Sequence, residues 1–402
     1  MKCRMCGGAL YNFLSLGETA LANSFLKKGD LKKDEPKFPL DVCFCTKCGL
    51  VQLGYIVPPD KMFRDYIYFS STSDLMQKHF SELASEIIEM LPKDAFIVEI
   101  ASNDGVLLRN FKNVGMRVLG VEPATNIANY ANGLGINTLN DYWSFDLAEN
   151  ILKDMGKADA IIANNVIAHV HDLSDFAKGI VHLLKDGGIV ILQVQYLVDF
   201  IERLEYDTIY HEHVSYISLH SISRLFDPYG LEVFDVKRFS NVHGGSIRFY
   251  IKKTGSRKES VDKLMDYEDV EGFLSREKYD DFSRKVKAHK DTLVRLIKDL
   301  KSSGKRIAGY GAAAKANTLL NYCGIGPELV EYIADKSEHK QGLFTPGMRI
   351  PVVGPEKILS DMPDYVIIFA WNFADEILEQ QKEYRVRGGK FIIPIPEPII
   401  ID

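Results

Sequence analysis

The apolar positions of this chain fall into two rhythms. A helical one opens at about Ser73 and runs through HFSELASEIIEML to Pro92, placing Leu83, Ile87, Ile88 and Leu91 on one face. From there, short apolar runs alternate with helical stretches. FIVEIA (96–101), RVLGVEP (117–123), AIIANNV (160–166) and GIVILQVQ (188–195) read as strands, and GVLLRNFKN, NIANYANGLG and DLSDFAKGIVHLLKDGG as the helices between them. SLHSISRLFDPYG (218–230) is a further helix, followed by the strands EVFDVKRF and SIRFYIKK. This pattern predicts an α/β fold whose parallel sheet is closed by an antiparallel terminal pair. A Lys/Glu-rich helical stretch from KLMDYEDVEG to KDLKSSGK follows, and it is expected to bridge domains. The rhythm then restarts in RIAGYGAAAKANTLLNYCG, ELVEYIAD, YVIIFAWN, ADEILEQQKEY and KFIIPIP, which predict a second, smaller α/β domain. Residues 1–75 show few long periodic stretches.

A length of 402 residues suits two or three domains, and 46% hydrophobic with 26% charged residues is the balance of a globular chain. The net charge of −6 supplies no general attraction for nucleic acid or an anionic membrane, so neither is expected as a partner. The apolar runs fall short of the roughly 18 residues that a membrane span needs. The opening MKCRMCGG has no apolar stretch of the signal-peptide kind, and a cytoplasmic location is expected.

Five of the six cysteines lie within the first 48 residues. Cys3-Arg-Met-Cys6 and Cys45-Thr-Lys-Cys48 form two C-x-x-C knuckles, each followed by a glycine suited to a tight turn. Brought together, these four thiolates make a tetrahedral zinc site. The long spacer means that the metal staples a small subdomain rather than one hairpin. Two disulfides or four unrelated buried thiols are the alternatives. Cys43 is read as a packed cysteine, because C-x-C breaks the knuckle. Four sulfurs leave no position open for water, so the metal is structural.

VEIASNDGVLL carries Glu99 on a buried strand and then a turn, Ala101 to Gly105, that opens into a helix. Such turns at the carboxyl edge of a parallel sheet are where α/β folds bind ligands. Glu122 ends the next strand, where a carboxylate can take both hydroxyls of an adenosine ribose. The spacing suits a dinucleotide fold or a class I methyltransferase, and a turn without a ligand is the plainer alternative. A single glycine and the acidic Asp104 argue against a diphosphate, whereas S-adenosylmethionine, with its sulfonium and ammonium, tolerates a carboxylate nearby. Asn164 and Asn165 end the fourth strand over the same edge.

IYHEHVSYIS, after the fifth strand, places Tyr210, His211, Glu212 and His213 at one spot. Imidazole beside carboxylate holds a general base in one tautomer. A His-x-His metal site and satisfied polar groups at a helix start remain the other readings. Strand alternation would set Glu212 opposite both histidines, so the dyad requires a loop or turn. His169, at the end of the fourth strand, can point into the same cleft.

CRMCGG, LSLGETALANSFL, PLDVCFCTKCGLVQL, DYIYFSSTS, EIASNDGVLL, GVEPATNIA, YHEHVSYIS, HGGSIR and GYGAAAK resemble, in order, the sugar-nucleotide C-methyltransferases that build branched deoxysugars. The resemblance spans essentially the whole chain. It implies a zinc-binding module (1–72), a class I, Rossmann-like S-adenosylmethionine domain (73–256), a helical connector (257–300) and a smaller Rossmann-like domain (301–402). The implied reaction methylates C-3 of a dTDP-linked 4-keto-6-deoxyhexose through an enolate. By this resemblance His213 is the base and Glu212 its orienting carboxylate and alternative proton carrier. Tyr210, His169 and Tyr66, rather than Tyr68, position the sugar or stabilise the enolate oxygen. Glu122 binds the ribose, and Ala101, Asn103, Gly105 and Asn164 line the rest of the donor site. Ala101 stands where the family often has glycine. Methylation at oxygen, a GDP-linked sugar, or a zinc-ribbon binding protein without activity are the competing functions.

In the last domain, Gly309, Gly311 and Lys315 lie between strand and helix, where N–H groups and a lysine can hold a diphosphate. Close helix packing is the alternative reason for those small residues. His243 and Arg248 of HGGSIR offer further donors, and Arg248 can pair with phosphate. The substrate is expected between the central and last domains, with Lys315 or Arg248 countering its diphosphate. A monomer is expected.

Overall fold

The computed structural model describes the chain except residues 59–61, 63–69, 73, 241–243 and 254–256. Tyr66, Tyr68 and His243 therefore lie outside the described residues. Three sheets organise the rest.

The N-terminal sheet is antiparallel. It consists of β1 (Leu10–Thr19), β2 (Phe38–Cys45) and β3 (Val51–Leu53), and its fourth strand is Ser215–Tyr216, from far along the chain. These strands were not foreseen, because half-buried runs such as LYNFLSLGET lack a clean period of two. Between the two knuckles lie β1 and most of β2, so the metal staples a small sheet, as the spacer length requires.

The central sheet contains β4 (Phe96–Ile100), β5 (Arg117–Val121), β6 (Thr138–Leu139), β7 (Ala158–Asn164), β8 (Leu184–Gln195), β10 (Glu232–Phe239) and β11 (Ser246–Lys252); Ser215–Tyr216 takes the label β9. Its order is β10-β11-β8-β7-β4-β5-β6. β4 to β8 run parallel, while β11 is antiparallel to both β8 and β10, which is the expected closing pair. β4 is fully buried because helices cover both faces. Its alternate residues enter separate cores, Val98 and Ile100 on one side and Ile97 on the other. The chain order reverses between β4 and β7, and that crevice is where such sheets take ligands.

The third sheet repeats the plan with β12 (Ile307–Tyr310), β13 (Ile333–Ala334), β14 (Val352–Val353), β15 (Tyr365–Ile368), β16 (Lys390–Ile393) and β17 (Ile399–Ile401), in the order β14-β13-β12-β15-β16-β17. All neighbours are parallel except β16 and β17.

The charged stretch forms two helices, Glu259–Val270 and Arg276–Ser302. The second is 27 residues long and packs on the N-terminal sheet, on the helix Leu197–Glu202 and on the loop after β16. Tyr279 meets Phe13 and Phe44, Phe282 meets Phe200, and His289 donates to the carbonyl of Pro394. The bridging expected of this stretch is thus a spine packed along the whole molecule.

Candidate active site

The metal site comes first because it anchors one wall. The sulfurs of Cys3, Cys6, Cys45 and Cys48 all lie within 4.8 Å of one another, with Cys3 to Cys48 and Cys6 to Cys45 at 3.5 Å. Tetrahedral ligation at about 2.3 Å sets sulfurs about 3.8 Å apart, so the four thiols fit zinc. The two knuckles have one geometry. In each, the glycine takes a left-handed φ (Gly7 69°, Gly49 75°) and its N–H bonds the carbonyl of the first cysteine at 2.9 Å. Cys43 stays outside the cluster; burial pushes its thiol up to about 11, as befits a packed cysteine.

Arg4 stands between the first two cysteines. Its guanidinium donates to the carbonyl of Val214 and, at 2.9 Å, to the hydroxyl of Ser215. Leu53 N–H also donates to Val214 O, at 3.1 Å, and β3 pairs with β9. The zinc sheet therefore holds the backbone directly after His213.

At the edge of the central sheet, the turn from Ala101 to Gly105 contains three left-handed residues, Ala101 (φ 51°), Asn103 (49°) and Gly105 (76°). Gly105 is needed twice over, since a Cβ there would also approach Ile136 to 3.0 Å. Ala101 bears the strain that glycine would relieve. Glu122 accepts from the N–H of Asn103 and of Ala124, both at 2.9 Å, so this carboxylate shapes the turn it was expected to serve. Burial raises its pKa.

The same edge holds buried oxygens without a hydrogen-bond partner among the described residues: Glu99 Oε2, Asp104 Oδ1 and Asn164 Oδ1. Asn164 donates to the other oxygen of Glu99 at 3.3 Å, and burial pushes the Glu99 carboxyl well up. Oxygen acceptors drawn from two carboxyls and an amide suit a ligand that brings N–H donors and positive charge, such as S-adenosylmethionine, and disfavour a diphosphate, which brings only acceptors. Glu99 and Asp104 were not picked as site residues. The two acids within EIASND were the available signal. Ser70 and Ser71 donate from their N–H groups to Asn103 Oδ1 and Asp104 Oδ2, both at 2.9 Å, which docks the segment after residue 69 on this turn.

The YHEHVS stretch is a turn, as the dyad reading required, with His213 N–H on the carbonyl of Tyr210 at 2.9 Å. His213 Nδ1 lies 2.9 Å from the carbonyl of Thr208. A carbonyl only accepts, so Nδ1 carries the proton and Nε2 keeps its lone pair, which accepts from the Tyr210 hydroxyl at 2.8 Å. His169 donates from Nδ1 to the carbonyl of Glu212 at 2.8 Å, and its ring lies 5.0 Å from that of His213. Tyr210, His169 and His213 are thus brought together.

Glu212 departs from its expected place. The tight turn separates its side chain from that of His213; its carboxyl instead accepts from Asn23 Nδ2 at 2.7 Å, and the carbonyl of Thr208 orients the imidazole. Burial pushes Glu212 up to about 7. Neither Asn23 nor Thr208 was picked from the sequence, for no spacing rule links positions that meet only through the fold.

Arg248 departs too. It lies on β11, 2% exposed, and bonds Glu86 Oε2 at 3.0 Å, Gln193 Oε1 at 2.8 Å and the Tyr250 hydroxyl at 3.2 Å, over the ring of Phe239. Its charge is spent inside the central domain rather than on a diphosphate. Lys315 stands in the first turn of the helix Ala314–Cys323, 3.4 Å from Asn372 Oδ1 and over the ring of Trp371. It faces the buried Glu205 and Asp207, which temper its charge. Burial pushes Glu205 up to about 8.

A doubly wound sheet of this order, with an acidic turn at its reversal point and a histidine pair beside it, defines a methyltransferase of the Rossmann-like class. Family models match in three pieces: "Putative zinc binding domain" over residues 3–63, "Methyltransferase domain" over 75–236 and "C-methyltransferase C-terminal domain" over 241–396. The chain is 35% identical to the C-methyltransferase NovU of Streptomyces niveus, over 100% of this chain and 96% of that protein. The chain belongs to this family of C-methyltransferases. Among solved structures, it is similar to the magnesium protoporphyrin IX methyltransferase of Synechocystis PCC 6803 with bound SAM (13% identity, 47% of this chain and 86% of that one, TM-score 0.35). It is also similar to the PH0226 protein of Pyrococcus horikoshii OT3 (15%, 46% and 95%, TM-score 0.38). Among the described residues, no helix is long and apolar enough to cross a membrane.

Proposed function

We propose that this enzyme transfers a methyl group to C-3 of a nucleotide-linked 4-keto-6-deoxyhexose, with dTDP as the nucleotide. The observation that carries this reading is the tautomer of His213, whose Nε2 lone pair faces the Tyr210 hydroxyl while Nδ1 is tied to Thr208. A neutral imidazole fixed in this way is a base suited to a hydrogen made acidic by a neighbouring ketone. When bound, S-adenosylmethionine supplies an electrophilic methyl. Glu122, Asn103, Gly105 and Ala101 would hold its adenosine end, and Glu99, Asp104 and Asn164 its cationic end.

His213 Nε2 takes the C-3 proton, and the electron pair of the C–H bond passes into an enolate. The Tyr210 hydroxyl, on Nε2 in this structure, turns to the enolate oxygen, and His169 steadies the same charge. Glu212 serves as a second proton carrier. C-3 would then form the new carbon–carbon bond with the donor's methyl group as the methyl–sulfur bond breaks, its electron pair staying on sulfur, which leaves as the neutral thioether of S-adenosylhomocysteine. The four sulfurs around zinc leave it a structural part. Of the two cations assigned to the diphosphate, Lys315 is retained, at the point where the third sheet reverses its order.

Solvent deuterium exchange at C-3 without methyl donor tests the reading. Exchange is expected in the native enzyme and not in His213→Ala, which should still bind S-adenosylhomocysteine. Methyl transfer to oxygen without exchange would overturn it.

A further inference from the structure

Glu212 is 8% exposed, and Asn23 is the hydrogen-bond partner of its carboxyl among the described residues. Asn23 is an exposed residue between β1 and β2 of the zinc sheet, and its amide reaches Glu212 Oε1 at 2.7 Å. The adjoining Ala22 is held in turn. Its carbonyl accepts from Asn317 Nδ2 at 2.6 Å, and Asn317 is buried in the helix Ala314–Cys323 of the third sheet. One residue further on, Thr318 donates to the carbonyl of Ile209 at 2.9 Å, at the start of the histidine turn. The third-sheet helix therefore holds the backbone on both sides of this contact, at Ala22 and at Ile209, and Asn23 reaches the carboxyl itself.

We propose that Asn23 is a positioning residue for methyl transfer: its amide aims the buried Glu212 carboxyl and keeps it an acceptor, tying the zinc module to the proton-handling turn. This rests on the reading of Glu212 as a proton carrier. An N–H donor favours the ionised form of a carboxyl, against the burial that favours the neutral one. Among the described residues, no other titratable side chain is hydrogen-bonded to that carboxyl. His169 meets Glu212 at its backbone carbonyl, His211 faces the carbonyl of Phe38, and His213 faces Thr208 and Tyr210. From the zinc sheet, Lys33, Asp34 and Glu35 line a cleft with Ser24, and from the third sheet Lys315 faces Glu205 and Asp207. Because Asn23 is exposed, its substitution leaves the cores intact.

The experiment is the pH dependence of kcat/KM in the zinc-loaded full chain, for Asn23→Ala, Asn23→Asp and Glu212→Gln against the native protein. Glu212→Gln should remove one limb of the profile. Asn23→Ala should move that limb upward by about one pH unit, the worth of a lost hydrogen bond to a charged group. Asn23→Asp, which puts an acceptor against an acceptor, should move it further. Binding of S-adenosylhomocysteine and zinc content should stay at native values. A limb that Glu212→Gln abolishes and Asn23→Ala leaves in place overturns the role of Asn23 alone. A profile unchanged by Glu212→Gln overturns the reading of Glu212 and this proposal with it.

Discussion

Arg4, lodged between two cysteines of the zinc site, donates to the carbonyl of Val214, the residue that follows His213. A knuckle and the proposed base, far apart in sequence, thus share one short piece of backbone, and the zinc module has a direct hold on the position of His213. Arg4→Ala should lower kcat about tenfold or more, since a hydrogen bond from a charged donor is worth about 1.5–3 kcal/mol. Binding of S-adenosylhomocysteine should change less than twofold. Isotope exchange at C-3 falling in step with kcat would locate the defect in proton removal, and native turnover would refute the coupling.

The five N-terminal cysteines divide four to one. Cys45→Ser should abolish stoichiometric zinc and destabilise the N-terminal sheet, because structural zinc contributes directly to folding. Cys43→Ala should keep one zinc per chain and cost only about 1 kcal/mol of packing. Metal analysis of the purified variants checks both, and zinc lost from Cys43→Ala would make Cys43 a ligand.

Arg248 ties the sheet to the helix that carries Glu86. Arg248→Leu removes the guanidinium from Glu86, which keeps Tyr250 and Lys237, and should cost about 2 kcal/mol of stability, the worth of a hydrogen bond to a charged group. Calorimetry should register the loss while the KM for the sugar nucleotide stays native in the folded fraction. A raised KM with unchanged stability would restore Arg248 to the diphosphate.

Glu205 gives stability a pH dependence of definite sign. Its carboxyl is raised from the ordinary range to about 8 by burial, with Lys315 opposing the shift. The folded state therefore holds a proton that the unfolded state has released, and the stabilisation present below about pH 4.3 is lost as pH rises towards 8. Glu205→Gln keeps an acceptor for Gln195, which donates to Glu205 Oε2 at 2.7 Å, and removes the titration. Thermal melts between pH 5 and 9 should fall less steeply for this variant than for the native protein. Parallel slopes would mean that Glu205 is ionised throughout.

The alternating elements of the central and third sheets were legible because buried parallel strands such as FIVEI are uninterrupted apolar runs between helical stretches. The zinc ligands were legible because the knuckles repeat one local turn. Short partners were not. Ser215–Tyr216 is two residues long and becomes a strand only through β3, and Thr138–Leu139 depends in the same way on β5. The helix Phe145–Met155, capped by Ser144, was passed over between weak signals. Within the site, residue types and neighbourhood were readable, but partners were not. The sequence places Glu212 next to His213, yet a turn sends adjacent side chains apart. Strand alternation gives Arg248 a face, but Glu86 and Gln193 meet it only after the sheet and helix are assembled.

β9 has a consequence for the order in which this molecule can be built. The zinc knuckles are complete once Cys48 has left the ribosome, but the sheet they staple still lacks its last strand, and β3 presents an open edge. That edge is covered only when Ser215 and Tyr216 arrive, after most of the central sheet has been synthesised. The N-terminal module is therefore not portable: excised or grafted elsewhere, it would keep its metal and lose its border. The strand that completes it begins two residues after His213, so the border of the first sheet and the histidine turn are one piece of backbone.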